Sequence, residues 1–190
     1  MVPDNRQQTT QENTEKSFTL ASKLFPDEEW VLKEPNIYVA KNRLRVPAKE
    51  RAKLAWEIEQ IRILISRDSV VFFLPEQTAA DTLGMLYADT VINGEIVEIK
   101  AVSGTRTTLG TEFRKGYKQG AYLMQQNPEV HRHSVFIHLY SDLSIMSVKA
   151  KIAGELKNRT DSGSLICYFD CTGKLYTWTY EELQAIIGRG

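Results

Sequence analysis

Apolar residues recur at helical spacing between Pro47 and about Ser66, where Ala52, Leu54, Ala55, Ile58, Ile61, Leu64 and Ile65 share one side. Pro47 suits the first turn of that helix, because its missing N–H would have no partner there. Val70-Val71-Phe72-Phe73-Leu74 is a continuous apolar run stopped by Pro75, the pattern of a buried strand. Alternation returns from Asp89 to Ile92 and from Glu95 to Ala101, on either side of Asn93-Gly94. That dipeptide suits a two-residue turn needing positive φ at both positions, so the stretch predicts a hairpin. A second helix is expected from about Thr108 to Gln126, with Phe113, Tyr117 and Met124 as its stripe. Gly116 and Gly120 on or near the stripe would let it approach a sheet closely.

Beyond it, Ser134 to Tyr140 reads as a strand, and Asp142 as the cap of a helix to about Lys157. Leu165–Phe169 and Lys174–Trp178 pair around Thr172-Gly173. Thr179-Tyr180-Glu181-Glu182 has capping-box spacing and opens a closing helix. Upstream the pattern is weaker. Residues 1–17 lack periodic apolar positions and read as a flexible leader. Residues 18–35 suggest a short helix, and Asn36 to Val46 a small hairpin with Lys41-Asn42 near its turn. There are no internal repeats. The expected organisation is a leader (1–17), an N-terminal extension (18–46) and one mixed α/β domain (47–190).

Composition changes this picture little. The chain has 190 residues, 42% hydrophobic and 25% charged, which suits a globular domain without a membrane span. Met1 to Lys16 has no apolar signal-peptide core, and two cysteines cannot build a disulfide framework, so a reduced cytoplasmic setting is the default expectation. The 24 basic and 24 acidic residues balance, without the excess of positive charge common in nucleic-acid binders. Charge is nonetheless sorted locally. Lys41, Arg43, Arg45, Lys49, Arg51 and Lys53 are interrupted by only one acid, Glu50, and read either as a solvated face or as a basic patch.

The chemistry concentrates in the Asn93-Gly94 hairpin. A two-residue turn pairs Ile92 with Glu95, Val91 with Ile96, Thr90 with Val97 and Asp89 with Glu98. Directly opposed side chains have Cβ atoms about 4.5–5.5 Å apart, and like charges so placed destabilise the pair. Period-two alternation sets Lys100 on the Glu98 face. The arrangement reads either as charges on a solvated sheet face or as a cation site. A divalent ion relieves the repulsion, since Mg²⁺ takes one or two carboxylates plus substrate phosphate. It polarises a phosphate and acidifies a bound water, while Lys100 would orient that water or stabilise developing charge.

Ala88-Asp89, eight residues, then Glu98-Ile99-Lys100 resembles the PD-(D/E)XK nuclease signature, with Ala88 in place of the frequent proline. The αβββαβ order from Pro47 to Tyr140 is similar to that superfamily's core. The resemblance implies a restriction-endonuclease-like fold with a mixed central sheet and added C-terminal strands and helix. Leu74-Pro75-Glu76 ahead of Ala-Asp-x-x-Ile-Asn-Gly and Glu-Ile-Lys looks most like the C-terminal tRNase toxin domains of contact-dependent growth-inhibition systems. The superfamily places a glutamate on the helix before the first strand. On a helical wheel starting at Leu54, Glu57 falls at about 300°, between Ile61 and Leu64, and Glu59 at about 140°. Glu57 is therefore expected to face inward and Glu59 outward. The resemblance also implies a Gln or Lys from the next helix, for which Gln119 and Lys118 are placed. Arg114, Lys115 and Lys118 are candidate phosphate contacts.

The resulting expectation is a Mg²⁺- or Mn²⁺-dependent endonuclease. Glu57, Asp89 and Glu98 would hold the metal, with Lys100 and Gln119 catalytic. As a toxin-like tRNase it would have tRNA as substrate and an immunity protein as partner, acting in the cytosol and, if a toxin, delivered into a target cell. The alternatives are a DNA endonuclease of a phage or mobile element, and a non-catalytic module of the same fold. His131 and His133 read as a surface turn, Cys167 and Cys171 as buried packing, Glu76 and Asp81 as loop acids, and Tyr176, Trp178 and Tyr180 as core.

Overall fold

The computed structural model describes residues 5–76 and 87–187; Asp81 lies outside them. The chain is α/β and divides into two compact units, residues 1–96 and 97–190. This division does not coincide with the boundary expected at residue 46. Residues 18–46 are part of the first unit, because strands formed there hydrogen-bond to those that follow.

The first unit opens with α1 (Asn5–Leu24), where a flexible leader was expected. Its sheltered positions Thr10, Asn13, Thr14, Ser17, Leu20, Ala21 and Leu24 do recur at helical spacing. The first four are polar, so an apolar stripe is not visible in the sequence. Asn13 and Ser17 among them are held by hydrogen bonds instead. Asn13 Nδ2 donates to the Asp68 carbonyl at 2.9 Å, and the Gly94 N–H donates to Ser17 Oγ at 2.9 Å. The expected hairpin also shifts. β1 (Trp30–Glu34) and β2 (Ile37–Ala40) pair antiparallel around Pro35-Asn36, with Asn36 in the left-handed region at φ 64°. Lys41–Leu44 is the short helix α2 rather than the second arm.

The long helix α3 (Ala48–Leu64) follows the sequence pattern closely, with Pro47 just before it and Leu54, Ile58 and Ile61 buried. β3 (Val71–Phe73) lies parallel to β2 and antiparallel to β4 (Thr90–Ile92), with Val71 opposite Ile92 and Phe73 opposite Thr90. Asn93 and Gly94 form the expected turn at φ 51° and 82°. β5 (Glu95–Val102) begins with the last two residues of this unit.

In the second unit the strand order is β5, β6 (Arg132–Leu139), β7 (Ser162–Phe169) and β8 (Lys174–Thr179). β6 and β7 run parallel in unbroken register, and β7 and β8 antiparallel. Helices α4 (Arg106–Gln126), α5 (Ile145–Leu156) and α6 (Tyr180–Gln184) complete it. Leu109, Phe113, Tyr117, Val135, Ile137, Val148, Ile152, Leu165 and Tyr180 share one apolar core. On α4 the buried apolar positions are Leu109, Phe113, Tyr117 and Leu123, and Met124, expected in the stripe, is only partly buried. Ser144 rather than Asp142 caps α5, its hydroxyl accepting the Ser147 N–H at 3.2 Å. α6 has the expected capping box at Thr179 and Glu182. Among the described residues, no helix is long and apolar enough to cross a membrane.

Candidate functional site

On α3 the two glutamates sort as the helical wheel predicts. Glu57 is buried, at 1% exposure, whereas Glu59 is exposed and pairs with Arg62. A lone buried carboxylate would carry a large desolvation cost. Here it is met by Arg43 of α2, itself only 2% exposed, whose Nη2 donates to Glu57 Oε2 at 2.6 Å and to Glu76 Oε2 at 2.8 Å. Lys53, one turn earlier on α3, donates to Glu76 Oε1 at 2.5 Å and lies 3.5 Å from Glu57 Oε1. The expected basic patch is therefore partly internal. Arg43 and Lys53 are consumed by carboxylates, and Lys41 pairs with Glu29.

Asp89, just before β4, is half-buried and near enough to bias this network. Burial is the largest influence on Glu57 and the Asp89 charge adds to it. Arg43 and Lys53 pull the other way, and the net result is a carboxyl pushed up to about 7. Lys53 shows the opposite balance. Burial lowers its pKa, but the Glu76 hydrogen bond and the charges of Glu57, Asp89 and Glu76 outweigh it, and the net shift is upward. Carboxylate oxygens are the hard donors that Mg²⁺ or Mn²⁺ takes.

In the second unit Glu98 is fully buried on β5 and receives a hydrogen bond from Lys100 Nζ, which fits their expected common face. The helix α4 passes directly over it. A Cβ on Gly116 would stand 3.0 Å from Glu98 Cγ and 3.0 Å from Val135 Cγ1, so any larger residue would require those side chains to give way. Gln119, three residues further along α4, is buried at 9% exposure, and Lys118 is exposed. Arg114 and Lys115 are exposed too, but Arg114 lies 3.4 Å from Glu155 and Lys115 2.6 Å from Glu112. Those acids would compete with phosphate for both.

No protein-family model, curated protein or solved structure matches this chain. The functional reading therefore rests on the chain's own residues. Among the described residues, no three His, Cys, Asp or Glu side chains stand together as a ready ligand set. Glu57 and Asp89 belong to the first unit, Glu98 and Lys100 to the second.

Arg43 and Glu76 are the participants that sequence reasoning missed. Arg43 was one cation among six, and only its fold position singles it out. Two discounted residues also change. His133 is buried in β6, against the expected surface turn. It packs edge-on to Tyr117 and Tyr180, with ring centroids 4.7 and 5.6 Å away, and among the described residues neither ring nitrogen has a hydrogen-bond partner. Cys167 is buried as expected, but Cys171 is exposed in the β7–β8 turn.

Proposed function

We propose that this chain is a metal-dependent nuclease that hydrolyses phosphodiester bonds in nucleic acid, as a tRNA-cleaving toxin-like domain. The reading rests on a restriction-endonuclease-like core, for which the element order α3-β3-β4-β5-α4-β6 is the support. The observation that carries it is the burial of Glu57 and Glu98. Charges that merely solvate a sheet face would be exposed, and these two are almost entirely removed from water. A protein retains buried carboxylates at a cost of several kcal/mol each, so their retention points to use.

In this reading, which takes its ligands from the sequence signature, Asp89 and Glu98 would hold Mg²⁺ or Mn²⁺. The ion, when bound, supplies Lewis acidity and an acidified water. Lys100 holds and orients the attacking water and screens charge developing on the phosphate. Gln119 positions that water from α4, and Arg43 fixes the Glu57 and Glu76 carboxylates.

The test is incubation of the purified protein with total tRNA and with plasmid DNA, in Mg²⁺, Mn²⁺ or EDTA. Cleavage of tRNA with a metal is expected, with losses of at least a hundredfold in Asp89→Asn, Glu98→Gln and Lys100→Met. Cleavage that persists in EDTA or in all three variants removes the mechanism. Cleavage of plasmid alone assigns the same chemistry to DNA.

A further inference from the structure

β1 is the outermost strand of the first unit. β2 lies on one side of it, and among the described residues no strand lies on the other. An edge strand leaves a row of backbone donors and acceptors open to another chain, and most edges are guarded by charge or proline. Here the middle of the strand is apolar on both faces, Val31 at 36% exposure on one and Leu32 at 58% on the other. The ladder to β2 fixes which backbone groups are open. The Lys41 N–H donates to the Glu29 carbonyl at 2.8 Å, so these two form a hydrogen-bonded pair, and the same register sets Val31 opposite Val39. Bonded and non-bonded pairs alternate along an antiparallel ladder. Glu29 and Val31 therefore turn their backbone groups toward β2, and Trp30 and Leu32 turn theirs outward. Glu29 and Lys33, at the ends of the apolar run, are both exposed.

We propose that β1 pairs antiparallel with β1 of a second copy of this chain, about a two-fold axis at Val31. The run Glu29-Trp30-Val31-Leu32-Lys33 complements itself when reversed, because an acid and a base flank three apolar residues. Turned about Val31, Trp30 meets the partner's Leu32, and Val31 meets its own copy. Glu29 meets the partner's Lys33, so each end carries an acid against a base. Such opposed pairs stabilise a sheet, and the interface is isologous. Trp30 and Leu32 both carry outward backbone groups, so they fall in one hydrogen-bonded pair and exchange both bonds. The register to β2 shifts between Leu32 and Glu34, beyond the residues whose backbone the pairing uses, so Lys33 contributes only its side chain. Glu29 accepts from Lys41 through Oε2, which leaves Oε1 for the partner's lysine. Other registers fail on the same chemistry. One residue of slip sets outward backbone groups against inward ones. Centring on Leu32 sets Glu34 against Trp30, and centring on Lys33 opposes two lysines. The pairing uses the first unit alone and is independent of the nuclease reading.

Sedimentation equilibrium of the full chain across the micromolar range should show a monomer–dimer equilibrium, since so short an interface belongs at the weak end of the scale. Leu32→Pro removes an outward N–H and no bond to β2, as edge strands tolerate. It should keep the far-ultraviolet circular dichroism of the wild type and lose the dimer. Charge reversal reads the register. Lys33→Glu opposes glutamate to Glu29 and Glu29→Lys opposes lysine to Lys33, so each variant alone should dimerise about tenfold more weakly. An equimolar mixture of the two restores acid against base at both ends and should dimerise as tightly as the wild type. This mixing test stands whether or not Leu32→Pro folds. A wild-type chain that stays monomeric at the highest concentration overturns the proposal. So does a dimer undiminished in a folded Leu32→Pro. A dimer untouched by the charge variants, or a loss that mixing does not recover, overturns it as well.

Discussion

His133 shows how much one residue's setting decides. The imidazole is enclosed by Tyr117 and Tyr180, and a Cβ on Gly120 would stand 2.5 Å from its Nδ1. Burial is the main cause that lowers its pKa, to about 4; Asp161 acts upward and Arg159 downward. In the unfolded chain the same group titrates near its ordinary value of about 6.5. Between these values the unfolded state binds the extra proton, so stability is fully present above about 6.5 and is lost as pH falls toward 4. The loss is at most about 3.5 kcal/mol, since each tenfold weakening of proton binding is worth roughly 1.4 kcal/mol. Urea unfolding at pH 7 and pH 5, followed by aromatic circular dichroism, should show this loss. His133→Phe should flatten it, and an unchanged acid limb in that variant would assign the acid sensitivity to other groups.

At the scale of the element, α1 and α3 contrast. α3 is announced by an apolar stripe, and its two glutamates sort by wheel angle alone, Glu57 inward and Glu59 outward. α1 is not announced, because Asn13 and Ser17 dock through hydrogen bonds to residues 55 and 77 positions away. Such bonds are invisible to periodicity. The Ser17 hydroxyl accepts the N–H of Gly94, whose φ of 82° belongs to the turn of the predicted hairpin. Ser17→Ala leaves that N–H without its partner and should cost about 1–2 kcal/mol, read as a lower urea midpoint with an unchanged slope. A free leader would predict no change at all.

At the scale of the whole molecule, the proposed function makes a prediction that does not depend on the substrate. A ligand that binds only the folded protein stabilises it by about 2.7 kcal/mol at a hundredfold excess over its dissociation constant. Mn²⁺ should therefore raise the melting temperature, the rise should be reversed by EDTA, and Asp89→Asn should reduce it. An identical rise in wild type, Asp89→Asn and Glu98→Gln would place the ion elsewhere.

The local elements from Pro47 onward follow from the sequence itself, because periodicity, Asn-Gly turn chemistry and the Thr179 capping box all act within a few residues. The inward direction of Glu57 and the common face of Glu98 and Lys100 follow for the same reason, since a helix or strand fixes side-chain direction locally. What tertiary structure decided is which groups answer those side chains. Arg43 reaches Glu57 across 14 positions and Glu76 across 33. The burial of His133 and the docking of α1 likewise depend on long-range packing. A residue's conformation is set by its neighbours in sequence. Its partners, and the charge it can keep away from water, are set by its neighbours in space.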